Sequence, residues 1–423
     1  MAVQAQTVAE ICAQAKRAAR KLATIDAHTR DAALNAVADD LEARTDEILE
    51  ANALDVEDGR AAGLDDALID RLTLTQERVH EVAEAVREIV ALPDPVGELI
   101  ESKTLRSGLD LEKVRVPLGV VAIVYEARPN VTVDAAALAI KSGNAVVLRG
   151  SSSAQHSNAV LAQIVADTLT AGGLPEGAVS LVAGGDRGEL AQLATQDGLV
   201  DLIIPRGGGG LKTTLKEHAT VPVIYAAAGN CHVYVDAAAD PQMAQEIAYN
   251  AKVQRPGVCN AAETLLVHAE VAPAVLPELF ERLHAAGVEL LVDARARALA
   301  GPQGEGLSDA TDEDWDTEYL GLKMAVRVVD GLDEAIDHIN RHGTGHSEAI
   351  VTGDDVAADR FCGEVDAACV YVNASTRFTD GGEFGMGAEM GNSTQKLHAR
   401  GPIGLRELTT YKYVAHGDGQ VRE

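Results

Sequence analysis

One cysteine stands in a setting suited to nucleophilic chemistry. Cys259 lies in Gln254-Arg255-Pro256-Gly257-Val258-Cys259-Asn260, where Pro256 and Gly257 favour a tight loop and Arg255 puts a cation nearby. A loop thiol beside a cation is held partly as thiolate, the form that attacks carbonyl carbon. The alternative is a small inert core cysteine, the usual fate of an isolated one. Cys12, Cys231, Cys362 and Cys369 fall on an amphipathic helix, beside a strand, and in a helix–strand connection, and they read as inert. Five scattered cysteines with no C-x-x-C pair signal neither a disulfide framework nor a zinc ribbon.

Two loops have the chemistry of anion sites. Gly207-Gly208-Gly209-Gly210 follows an apolar run ending at Ile204-Pro205 and precedes a helix over 211–218. Consecutive glycines there let a pyrophosphate approach backbone N–H groups; a flexible turn is the competing reading. Arg149-Gly150-Ser151-Ser152-Ser153 places a cation and hydroxyls after a strand, where ligands of open α/β sheets bind. Three histidines occur in Asp337–His346, without an acid or thiol placed to complete a zinc set. Lys396, His398 and Arg400, in Ser393–Gly401, concentrate positive charge, which suits an anionic substrate or merely balances the surface.

These residues need a scaffold, and the chain's rhythm predicts it. Helical spacing fills the first ninety residues and Pro93-Asp94-Pro95 ends it. A hairpin is expected over 105–116, with its turn at Gly108-Leu109-Asp110. From Pro117 onward strand, turn and helix alternate. Strands are expected at 120–125, 145–148, 179–182 and 199–204, then at 232–235, 264–268, 288–292, 324–329 and 369–372. This is βαβ grammar, hence two tandem, mostly parallel α/β domains. Their expected boundary is near Gly229-Asn230, giving domains over 1–230 and 231–402, with 403–423 a terminal strand and tail.

Composition narrows the function. With 36 basic against 65 acidic side chains the net charge is −29, a field that repels nucleic acid and anionic lipid. Apolar residues at 47% supply substantial cores, and aromatics at 3% mean that small side chains build them. No stretch could span a bilayer, and Met1–Glu10 has no signal-peptide character, so the expected setting is cytoplasmic. Scarce lysine with many carboxylates is halophile-like, although a merely acidic enzyme would look similar.

Five runs together resemble one family. Val120–Asp134 (VVAIVYEARPNVTVD), Gln254–Glu263 (QRPGVCNAAE), His338–Ile350, Val370–Gly382 (VYVNASTRFTDGG) and Ser393–Gly401 (STQKLHARG) are similar, in order, to the signatures of the γ-glutamyl phosphate reductases. These glutamate-5-semialdehyde dehydrogenases belong to the aldehyde dehydrogenase superfamily. The resemblance implies an aldehyde-dehydrogenase-like α/β fold with a small β oligomerisation element, made of the 105–116 hairpin and a strand near 408–414. It also implies NADPH-dependent reduction of L-glutamyl 5-phosphate to the semialdehyde in proline biosynthesis, and a homo-oligomer with transient contact to glutamate 5-kinase.

Carried over residue by residue, the likeness makes Cys259 the nucleophile. Arg149, Ser151, Ser152, Gly207, Gly208, Gly209, Gly210 and Glu318 become cofactor-binding residues, with Arg149 on the adenosine ribose or its phosphate and Glu318 on the nicotinamide ribose. Asn130 would join the Cys259 N–H as an oxyanion donor. Arg128, Lys396, His398 and Arg400 would hold the leaving phosphate, and Asn373, Ser375, Thr376 and Arg377 the glutamyl group. Superfamily members that hydrolyse their acyl-enzyme carry a glutamate base before the second domain. Here Val221–Gly229 has no carboxylate, so the thioester would await hydride or phosphate. The competing expectations are a dehydrogenase for another acyl phosphate or aldehyde, and a non-catalytic scaffold for the kinase.

Overall fold

The protein is described by a computed structural model covering residues 6–182, 187–207, 209–225, 228–301 and 306–422. It divides into two compact units, Met1–Tyr225 with Gly385–Gly391 and Ile403–Glu423, and Ala226–Phe384 with Asn392–Pro402. The change of unit at Tyr225–Ala226 falls just before the expected boundary. The expected continuous run 231–402 is interrupted, because Gly385–Gly391 packs with the first unit. Gly387 sits tightly on the Leu92 side chain, and the Met390 N–H donates to the Ile403 carbonyl at 2.8 Å.

The first unit opens with helices α1 (Val8–Leu22), α2 (Ala27–Ala43), α3 (Thr45–Ala61), α4 (Asp66–Leu72) and α5 (Gln76–Ala91). Their starts follow from the sequence: Thr7, Asp26, Asp65 and Thr75 each accept a first-turn N–H, and Glu10 returns the bond to Thr7. Strands β1 (Leu99–Thr104) and β2 (Asp110–Pro117) form a hairpin longer than expected, turning through Gly108 at φ 81°.

Then β3 (Val120–Tyr125), α6 (Asn130–Lys141), β4 (Ala145–Arg149), α7 (Gln155–Ala171), β5 (Val179–Leu181), α8 (Arg187–Ala194), β6 (Leu202–Arg206) and α9 (Gly209–His218) alternate. The four strands form a parallel sheet in the order β5-β4-β3-β6. All six residues of β3 are apolar and buried, as a strand covered on both faces requires. The strand expected across 221–229 is reduced among the described residues to a single bridge from Val223 to Ile203; Ala226 and Ala227 lie outside them.

The second unit runs β7 (Cys231–Val235), α10 (Pro241–Val253), β8 (Ala262–His268), α11 (Ala272–Ala285), β9 (Glu289–Val292), α12 (Ala294–Ala298), β10 (Ser308–Asp309), β11 (Lys323–Val329), α13 (Leu332–His342), β12 (Ser347–Val351), α14 (Asp355–Glu364) and β13 (Cys369–Val372). Its sheet is parallel, in the order β10-β9-β11-β8-β7-β12-β13. Strand β12 was not expected from the sequence, yet it is fully buried beside β7. A two-residue pair, β14 (Asn392–Ser393) with β15 (Gly401–Pro402), closes the Ser393–Gly401 segment. The chain ends in the first unit as β16 (Thr409–His416), antiparallel to β2, so the hairpin gains the expected C-terminal strand. Among the described residues no helix is long and apolar enough to cross a membrane.

One carboxylate organises the first sheet. Asp201 accepts from Lys16 of α1 at 2.6 Å and from the buried Val120 N–H at 2.8 Å. Gly119, at φ 129°, has no room for a side chain, since a Cβ would come within 2.2 Å of that carboxylate. Asp201→Ala therefore strands a buried N–H at the start of the central strand. Loss of about 2 kcal/mol is expected, read as a lower urea midpoint with an unchanged slope.

Candidate active site

The cysteine loop runs from the end of α10 to the start of β8, at the amino ends of the second sheet. Cys259 is exposed there. Cys12, Cys231 and Cys369 are buried, and Cys362, also exposed, has its thiol pushed up by partial burial and by Asp359. Burial pushes the Cys12 thiol up to about 11 and Cys231 well above the usual range. The inert reading of those four fits these surroundings.

The loop is fastened at both ends. Lys252 on α10 and Glu263 on β8 are fully buried and meet at 2.5 Å, closing the base. Burial pushes the Glu263 carboxyl up to about 7 and Lys252 down, so the pair is held together against strong desolvation. At the tip, the Asn260 amide donates to the carbonyls of Arg377 and Thr379 at 3.3 and 2.9 Å, and the Thr376 hydroxyl donates to the Asn260 carbonyl at 2.7 Å. Gly229 presses against the cysteine backbone so closely that a Cβ would lie 1.6 Å from the Cys259 carbonyl oxygen. The Cys231 thiol donates to that same oxygen at 3.2 Å.

Glu318 belongs to this arrangement. Its Oε1 accepts the Gly229 N–H at 2.6 Å, while the nearby Leu320 N–H donates to Glu263 at 3.2 Å. Leu320 has φ 53°, an unfavourable backbone for a branched side chain. Such strain collects where geometry is imposed by surrounding contacts, here by the buried carboxylate.

Arg377 reaches the same loop. Its guanidinium donates to Gln254 at 2.8 Å and, in a very short bond, to Asn260 Oδ1. Burial and the like charge of Arg255 lower its affinity for a proton, opposed by Asp380 and Cys259. Thr376, expected to line the glutamyl pocket, is fully buried, and its hydroxyl holds the cysteine loop. Ser375 is buried and caps the Arg377 N–H at 3.3 Å. Asn373, at φ 55°, spends its amide on both backbone groups of Thr352, each at 2.9 Å. These three residues shape the segment, and Arg377 lines a cavity with Gln254, Phe378 and Asp380.

The expected phosphate cations are divided. Lys396 and Arg400 both pair with Asp366, the latter at 2.9 Å, and hold that carboxyl below its ordinary range. His398 is exposed on the same segment. Arg128 belongs to the first unit, where it lines a small cavity with Asn130, Asp134, Arg206 and Glu389. Asn130 donates to Asp134 at 3.0 Å, and burial pushes that carboxyl up to about 6. Arg206, against which Gly391 packs, carried no signal in the sequence beyond its place at a strand end.

The first sheet also presents the anion-binding loops. Chain order reverses between β3 and β6, the switch point where ligands of open α/β sheets sit, and the loops after β3, β4 and β6 share one end. Arg149 pairs in register with Val124 at that end. The Ser151 hydroxyl accepts the Ala127 N–H at 3.2 Å and bonds Ser153 at 2.6 Å, joining two of the loops; Ser152 is exposed. Gly207 packs against the Glu126 carboxylate, Gly209 opens α9, and Gly210 faces open space. Gly208 lies outside the described residues. A helix start near Gly210, which faces open space, at the switch point of a parallel sheet whose neighbouring strand ends in Arg149, fits a dinucleotide phosphate.

The histidines of Asp337–His346 have separate surroundings: the His342 ring bonds Asp316 at 2.8 Å, and His346 is buried and bonds the Ser347 hydroxyl at 2.8 Å. His338 is buried, 5.5 Å from the His232 ring, and burial pushes these imidazoles down to about 2 and 3. His232 bonds Glu348 of β12 at 3.0 Å. His232 and His338 are packed interior groups kept neutral; the sequence places His232 in an expected strand and gives no sign of its Glu348 partner.

The family model for the aldehyde dehydrogenase family matches residues 1–298 and 309–414. The chain is 55% identical over 415 residues to a γ-glutamyl phosphate reductase of Thermobifida fusca, covering 98% of both chains. It is 52% identical over 415 residues to the Clostridium novyi protein of that name, covering 98% of this chain and 99% of the other. The crystal structure of a γ-glutamyl phosphate reductase from Thermotoga maritima superposes with a TM-score of 0.96 at 45% identity, over 99% of this chain and all (100%) of that one.

Lys252→Met leaves Glu263 buried without its counter-charge and should cost about 3–5 kcal/mol. Adding Glu263→Gln removes the charge while keeping an acceptor for the Leu320 N–H. Most of the loss should then return, as a thermal melt of the double variant will report.

Proposed function

Because this chain belongs to the aldehyde dehydrogenase family and, within it, to the γ-glutamyl phosphate reductases, we propose that it reduces L-glutamyl 5-phosphate to L-glutamate 5-semialdehyde through a thioester on Cys259, using NADPH, in proline biosynthesis. The observation that carries this reading is an exposed thiol whose backbone is fixed from every side, beside the half-buried guanidinium of Arg377.

The Cys259 thiolate attacks the acyl carbon, forming the C–S bond. The C–O bond to phosphate then breaks, and phosphate leaves with the electron pair. Negative charge develops on the carbonyl oxygen, and a fixed backbone N–H at Cys259 stabilises it without reorganisation. Asn130, which keeps a second amide proton after donating to Asp134, is the proposed side-chain donor. Arg128, with Lys396, His398 and Arg400, is assigned to the phosphate. Bound NADPH supplies the hydride that the thioester carbon requires. Departure of the Cys259 sulfur then restores the thiolate and frees the aldehyde.

Arg149 is assigned to the cofactor's 2′-phosphate, Ser151, Ser152 and the 207–210 glycines to its phosphates, and Glu318 to the nicotinamide ribose. Glu318 accepts the Gly229 N–H with one oxygen and retains acceptor capacity for a ribose hydroxyl. The β1-β2-β16 sheet is assigned to oligomerisation, a use supported by its exposed Leu99, Ile100, Tyr411 and Tyr413.

Cys259→Ala should abolish phosphate-dependent oxidation of the semialdehyde, a loss of at least about 10⁴-fold in kcat. Wild-type turnover that needs no phosphate would point instead to a dehydrogenase of free aldehydes. Arg149→Ala should raise KM for NADPH at least about tenfold more than for NADH, since a charge-assisted bond is removed from one cofactor only. Equal effects would undo the 2′-phosphate assignment.

A further inference from the structure

The second unit holds a cavity of about 280 Å³ lined by Asn250, Gln254, Arg377, Phe378, Asp380 and Glu383. Its charges are mixed. Arg377 lies close enough to the nucleophile for Cys259 to influence its proton affinity, and Asp380 acts on it as well. Yet among the described residues Arg377 makes no salt bridge within 4 Å: its guanidinium is held by two side-chain amides, those of Gln254 and Asn260. Neutral partners fix the group, and Asp380, which acts on it from beyond salt-bridge distance, leaves the guanidinium able to pair with an anion. In a chain with 65 acids to 36 bases, an arginine so held is set up for a ligand's anion.

A phosphate does not suit this cavity, because Asp380 and Glu383 line it too and would repel a dianion. The other end of the proposed substrate does suit it. An α-amino acid carries a carboxylate and an ammonium on one carbon, so its receptor needs a cation and an acid a few ångströms apart. Phe378, 48% exposed, adds an apolar edge for the methylenes between that carbon and the acyl group. Asp380 is itself set by its loop, its Oδ1 accepting the Gly382 N–H at 2.8 Å. That bond leaves it ionised acceptor sites for an ammonium.

We infer that this cavity is a zwitterion site in which Asp380, assisted by Glu383, binds the substrate's α-ammonium while Arg377 binds its α-carboxylate, so that the enzyme selects a free amino acid over its N-acylated counterpart. The inference rests on the function proposed above and adds the determinant of substrate class. An N-acyl group removes the positive charge and adds bulk, leaving both carboxylates in the cavity without a partner.

The test compares NADP- and phosphate-dependent oxidation of glutamate 5-semialdehyde with that of its N-acetyl derivative. Wild type should favour the free amine by at least about 100-fold in kcat/KM. Asp380→Asn should narrow that ratio by about tenfold or more, mainly through KM for the free amine, and Glu383→Gln should narrow it less. An unchanged ratio in both variants, or equal losses on the two substrates, would overturn the inference and leave Asp380 a loop-shaping residue. If wild type oxidises neither aldehyde with phosphate, the proposed function itself fails and takes the zwitterion site with it.

Discussion

The placement of one carbonyl group governs the cysteine loop. The Cys259 oxygen is fixed by the Gly229 backbone on one side and the Cys231 thiol on another, and Asn260 next to it is tied into the segment after β13. A peptide is planar, and the Val258 carbonyl, which shares its plane with the Cys259 N–H, accepts the Ala261 N–H at 3.1 Å, so the peptides on both sides of the residue are held and with them the directions of the thiol and its N–H. Rigidity of this sort is what an oxyanion donor needs, because its benefit depends on its being in place before charge develops. Glu318 is joined to the same arrangement through Gly229, which couples a proposed cofactor contact to the proposed nucleophile by a single residue without a side chain.

Beneath the loop, the ion pair of Lys252 and Glu263 does work that a hydrophobic pair could not. Two apolar residues would close the base as well or better energetically. They would not accept the Leu320 N–H, and the backbone at φ 53° depends on that acceptor. A second buried polar pair, His232 with Glu348, joins β7 to β12 in the same sheet. The interior of this unit is therefore specified by a few polar bonds of defined direction set among small aliphatic side chains.

Much of the scaffold was legible in the sequence because its strands are short, apolar and bounded by glycine or proline. The run Val120–Tyr125 has no other sensible reading. Strand β12 escaped because Ser347 and Glu348 look like surface residues; only the distant His232 makes a carboxyl tolerable there, and periodicity cannot report a partner 116 residues away. The cysteine loop was readable from Arg255, Pro256 and Gly257. What Thr376 and Asn373 do for the fold was hidden for a related reason: a polar residue in a loop looks like a ligand contact, and periodicity does not show that each also bonds the protein's own backbone. Asp380 lies inside the quoted run Val370–Gly382 and Glu383 just past it, yet nothing in that run sets these acids apart from so many others. Gly385–Gly391 could not be assigned to its unit either, since an excursion of seven residues leaves hydrophobic spacing unaltered.

The cysteine loop emerges from the carbonyl end of α10, not from the amino end of a helix. Cys259 and Arg377 act on each other electrostatically, and Arg377 is itself held by the side-chain amides of Gln254 and Asn260. A charge carried on a side chain can be altered by a single substitution without rebuilding the backbone, so the surroundings of this sulfur can drift in evolution independently of the fold that carries them.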